Sequence, residues 1–97
     1  MDVVIDGQAY VIEDWPMQEE DGEYCAASQR IRVQKDAKPL YKRVVVLHEL
    51  IHACYEHSGS PPEPLAEEQV ALLISRRLLP ILRDNPNLVK YLTEEDV

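Results

Sequence analysis

Phenylalanine is absent from this 97-residue chain, tryptophan occurs once, as Trp15, and glycine only three times. A core without Phe must be filled by Val, Ile, Leu and Ala, which suits helices laid on a small sheet. The two cysteines, Cys25 and Cys54, are too few for a disulfide framework, and free buried thiols are the expected state. Basic residues are scarce, ten against eighteen acidic ones, and a formal charge of −8 repels phosphate backbones, so no nucleic-acid partner is expected. Apolar runs such as residues 44–47 fall far short of the roughly twenty residues a membrane span needs. Residues 1–4 show neither a basic nor an apolar signal region. A soluble, cytoplasmic protein with no membrane partner is therefore the expectation. The length allows one domain, residues 1–97, small enough for a bound metal to contribute to its stability.

Val3-Val4-Ile5 and Tyr10-Val11-Ile12 are β-prone runs around Asp6-Gly7, a pair suited to a tight turn, and predict a hairpin. Residues 13–23, with six acidic side chains, Pro16 and Gly22, predict an exposed loop. Residues 23–27 and 30–34 read as two strands around Ser28-Gln29. Residues 39–57 hold no Gly or Pro after Pro39 and carry Leu40, Val44, Leu47, Ile51 and Tyr55 at helical spacing, predicting a helix with that stripe inward. Ser58-Gly59-Ser60-Pro61-Pro62 should end it, with Gly59 as a left-handed cap. A second helix should start near Pro64, run through Val70, Leu73, Ile74 and Leu78, and end or kink at Pro80. Asn85-Pro86 predicts the cap and first position of a short third helix. The predicted fold class is α+β: small N-terminal antiparallel β-hairpins or sheet, then two main helices and a short C-terminal helix.

His48-Glu49-Leu50-Ile51-His52 is an H-E-x-x-H pattern. On a helix, residues four apart differ by about 40° around the axis and one turn along it, so two imidazoles can reach one tetrahedral zinc ion. Glu49 is offset from both. It can take a proton from water whose pKa the ion lowers toward about 7, then hand it to the leaving amine of a peptide bond. The pattern also arises by chance on surface helices. Because both histidines adjoin the apolar stripe, they are expected to face the interior, where imidazoles need hydrogen-bond partners or a metal.

A catalytic zinc takes three protein ligands and keeps one open position. His57 lies five residues past His52, one short of the metzincin spacing, and Tyr55 stands where that pattern has Gly. Cys25 precedes the helix, as the thiolate ligand of peptide deformylases does, but in a different context. Glu67 and Glu68 remain. Glu67 heads the row Val70, Ala71, Ile74 and Leu78, more apolar than the Ala71, Leu72, Ser75 and Leu79 row of Glu68, and is the favoured third ligand. Either glutamate also suits an ordinary first helical turn. The alternative to catalysis is a zinc-binding regulatory or interaction module whose open position is closed by Cys54 or His57.

The H-E-x-x-H motif, Glu67 and an aliphatic helix reaching Leu78-Leu79-Pro80 resemble the ImmA/IrrE-type metallopeptidases and smaller phage-type relatives, the minimal gluzincins. The likeness covers roughly residues 24–80. It departs at Ile51, where the family has Gly, and at Val70-Ala71, where it has Ala-Asn. The resemblance implies a minimal zincin-like fold with zinc on His48, His52 and a glutamate thirteen residues before a terminal proline, as Glu67 stands to Pro80. It further implies Glu49 as catalytic base, a protein or peptide substrate in the cytosol, and the strand at residues 30–34 as the sheet edge to which an extended substrate adds. Tyr24, Tyr41, Tyr55 and Tyr91 are candidates for an oxyanion donor, and none is singled out.

Overall fold

Asp6 and Gly7 both take positive φ, 52° and 75°, the primed turn whose twist matches a hairpin. In the computed structural model, which describes residues 1–57 and 67–94, with residues 67 and 68 in backbone only, this turn joins β1 (Asp2–Ile5) to β2 (Gln8–Trp15). β3 (Gly22–Cys25) and β4 (Arg30–Gln34) form the second expected hairpin. Gln29, at φ 55°, closes its turn by donating its N–H to the Ala26 carbonyl at 3.2 Å. The hairpins join through a parallel pairing of β2 with β4, Val11↔Arg30 to Trp15↔Gln34, giving the order β1-β2-β4-β3. The sheet is thus antiparallel within each hairpin and parallel between them.

The acidic segment 13–23 is not all loop, because Glu13, Asp14 and Trp15 extend β2 and Gly22 opens β3. The parallel register sets Glu13 opposite Arg32. Its carboxylate accepts hydrogen bonds from Arg32 Nε at 3.1 Å and Arg30 Nη1 at 2.9 Å. The Arg32 bond leads in holding that carboxyl below its ordinary pKa. Arg32 also lies over the Trp15 ring, 4.1 Å from its centroid. Cross-strand cations offset the acidity that made the segment look unstructured.

Strand alternation sends Val3, Ile5, Tyr10, Ile12, Ile31 and Val33 to one buried face. It is covered by α1 (Pro39–His57), α2 (Glu67–Asp84) and α3 (Pro86–Thr93), in the expected order. α1 buries Val46, Leu50, Ala53 and Cys54. The stripe expected inward is outward, Leu40 63% and Val44 56% exposed, with Leu47, Ile51 and Tyr55 beside them. Both rows have helical spacing, so periodicity could not choose between them; the row with small Ala53 and Cys54 lets the helix approach closely enough to pack. Over residues 70–79 of α2, Val70, Leu73, Ile74 and Leu78 are half-buried and Ala71, Leu72 and Leu79 exposed, so the row headed by Glu67 is the more buried one except at Ala71.

Pro80 neither ends nor breaks α2, which runs on to Asp84. Proline removes one helical hydrogen bond, yet Leu78 and Ile81 pack on the core to either side of it and hold the helix in place. The turn at 58–62 with its Gly59 cap and the helix start near Pro64 lie outside the described residues. None of the described helices is long and apolar enough to cross a membrane.

Asn85 precedes α3, but its side chain does not cap that helix. Its buried amide accepts the Val4 N–H at 2.8 Å and donates to the Val4 carbonyl at 2.8 Å and the Ile81 carbonyl at 2.7 Å. Asn87 donates to the Asp2 carbonyl at 2.8 Å. The outer edge of β1 is therefore occupied, which protects it from pairing with another chain. The opposite edge is β3 and not β4, which lies between β2 and β3. Gln34 donates its N–H to the Asp21 carbonyl at 2.9 Å. That bond fixes the alternation, so the N–H and C=O of Gly22 and Tyr24 point away from β4.

Candidate metal centre

With 100° of rotation per residue, α1 presents in turn the core row Val46 and Leu50, then Val45 and Glu49, then His52 and His48, and last its exposed apolar row. The histidines expected to face the interior are exposed, and of the three polar residues Glu49 is the buried one, only 7% exposed. The cause is the choice of stripe: once Val46 and Leu50 point inward, Glu49 lies at the core margin and the histidines outside it.

The two imidazoles remain close. His48 Nε2 and His52 Nε2 are 3.1 Å apart, with ring planes at 77°. Two nitrogens bound to one tetrahedral zinc at about 2.0–2.1 Å would stand about 3.3 Å apart, so the pair fits a shared ion with little movement. One ligand atom from each of His48, Glu49 and His52 lies within 4.8 Å of the others, a group that could hold a metal ion.

No described residue hydrogen-bonds the Glu49 carboxylate, which opens onto a groove on either side. Burial raises its pKa, the imidazoles of His52 and His48 pull it back, and the negative charges of Glu20 and Glu23 raise it further. Edge strand β3 reaches this carboxylate because Gly22 has no side chain. A Cβ there would collide with Val45 Cγ1 and stand 3.4 Å from Glu49 Cγ. One groove is walled by Tyr41, Val44 and Asp21, the other by Tyr24, Tyr55 and Glu56, and Glu20 borders both.

Glu67 opens α2, but its side chain, like that of Glu68, is outside the described residues. Cys25, Cys54 and His57 do not join the His48, Glu49 and His52 group. Cys25 ends β3, its thiol lowered in pKa chiefly by a hydrogen bond with the Ser28 side chain. Cys54 faces a cavity bounded by β1 and α2, its thiol pushed up by burial. His57 Nε2 lies 3.1 Å from the Tyr24 hydroxyl and 3.2 Å from that of Tyr10, with Nδ1 3.3 Å from Asp6 Oδ2. Tyr24 lines one groove with Glu49 and His52 and has its hydroxyl in this second cluster; burial first, then Tyr10, pushes the hydroxyl well above its ordinary pKa. Tyr41 donates to Asp21 Oδ2 at 2.7 Å.

Gly22, Glu20 and Glu23 border the site and were read from the sequence only as loop and strand residues. Nothing local distinguishes Gly22 from a turn glycine, since its need for a bare Cα arises from Val45, on a later element. Comparison with protein-family models, curated proteins and solved structures found no match to this chain.

Proposed function

We propose that this protein is a zinc-dependent endopeptidase in which His48 and His52 ligate the metal, Glu67 is the third ligand and Glu49 is the general base. The observation that carries the proposal is a pair of imidazole nitrogens 3.1 Å apart beside Glu49, a mostly buried residue whose carboxylate has no hydrogen-bond partner among the described residues and opens onto the grooves. Zinc, when bound, would supply the Lewis acidity that polarises a peptide carbonyl and acidifies water. Glu49 would accept the proton of the attacking water and return it to the leaving amine, a role its raised proton affinity favours. A peptide adding to β3 would bond to the outward N–H and C=O groups of Gly22 and Tyr24 and run past Glu49.

The engagement of His57 with Tyr10 and Tyr24, and the place of Cys54 in the cavity against β1 and α2, support an open ligand position over the closed, regulatory module. The ImmA/IrrE-type likeness of the ligand pattern supports a protein substrate. Two free thiols support a reducing, cytoplasmic setting. Glu49→Gln should retain one zinc per chain and lose peptide cleavage, and His48→Ala should lose the zinc. Proteolysis surviving Glu49→Gln would refute the mechanism, and purified wild-type chain without stoichiometric zinc would refute the site.

A further inference from the structure

We infer that the cleft between β3 and α1 selects a cationic segment, an extended peptide with Lys or Arg beside the bond presented to Glu49; the location of that bond rests on the peptidase reading, whereas the charge preference does not. Three observations converge on it. First, the backbone groups of Gly22 and Tyr24 face outward from an edge that no strand covers among the described residues, while β1 at the opposite edge is covered by Asn85 and Asn87. One edge is left able to accept an added strand. Second, Glu49 is more than nine-tenths buried, has no hydrogen-bond partner among the described residues and opens onto this cleft.

Third, the cleft gathers more negative charge than the two positive charges of a bound zinc ion would offset. Glu20 borders both grooves, Glu23 and Glu56 flank the His52 side and Asp21 the His48 side, and no Lys or Arg lines either groove. Nearby cations are already paired, Arg30 and Arg32 with Glu13 and Lys42 with Asp14. Glu20, Glu23 and Glu56 form no ion pair among the described residues. A Lys or Arg on the incoming strand would offset this charge, and a Glu or Asp there would add repulsion. The pleat gives Glu23 the face of β3 opposite to Gly22 and Tyr24. The cation therefore belongs to a substrate residue adjacent to the one that faces Glu49.

The test uses the zinc-loaded full chain with Glu49→Gln, which binds without cutting, and three fluorescent peptides of one length that differ only in carrying Lys, Gln or Glu at the centre. Anisotropy should show the Lys peptide bound about tenfold more tightly than the Gln peptide at low salt, and the Glu peptide most weakly. The preference should shrink to about twofold or less at roughly 0.5 M salt. It should shrink likewise on adding Glu20→Gln and Glu23→Gln, with the fold checked by circular dichroism and melting. Equal affinity for the three peptides, no binding of any, or a preference untouched by those two substitutions would overturn the inference. Failure of the peptidase reading is separate: wild-type chain with zinc would cut none of the peptides, while the Lys preference in binding persisted.

Discussion

Glu49 is held by opposing effects that can be read out one residue at a time. Burial raises its pKa, so folding of the metal-free protein disfavours the charged carboxylate relative to the unfolded chain. Stability linked to this group is therefore greatest with the proton on, and is lost as pH rises from the ordinary value of 4.5 through the raised one. Metal-free Glu49→Gln should melt above wild type at pH near 7.5, with the gap closing at about pH 4, in thermal scans across that range. With zinc present, the same substitution should cut peptide hydrolysis by about 10²-fold or more. Gly22→Ala brings a methyl group into Val45 and should cost about 1–3 kcal/mol in urea unfolding. The five residues of the motif were legible in the sequence because helical spacing alone brings His48 and His52 together. The burial of Glu49 was not, because it depends on which of two apolar rows of α1 meets the sheet.

At the scale of elements, helices and strands followed local chemistry wherever one signal prevailed. The Asp6-Gly7 turn and the unbroken span of α1 are of that kind. Where a distant partner overrode the local signal, the sequence misled. Glu13 joins a strand because Arg30 and Arg32 come from β4, and Pro80 stays helical because its neighbours are anchored in the core. Asn85 carried a cap signal yet spends its amide on Val4, 81 residues away, and on Ile81. Asn85→Ala should strip β1 of these partners, costing about 1–3 kcal/mol in denaturant unfolding. The bared β1 edge should also raise concentration-dependent association, measured by sedimentation.

For the whole molecule, metal binding and folding should be coupled. Free zinc at about 100 times its dissociation constant should stabilise the fold by about 2.7 kcal/mol, seen as a rise in melting temperature that a chelator reverses. Ligation requires deprotonated imidazole, for which protons compete with the metal, so this gain should shrink as the solution is acidified. A thermal shift independent of pH would argue against His48 and His52 as the ligands. By itself the sequence determined the order of elements, the α+β class and the His48-Glu49-His52 grouping, because turns, helical spacing and a five-residue motif act over short separations. Only the tertiary structure decided the parallel β2–β4 pairing, the inward face of α1 and the open edge of β3 beside Glu49. Each of those depends on contacts between segments far apart in the chain, where local propensities are equal and packing chooses.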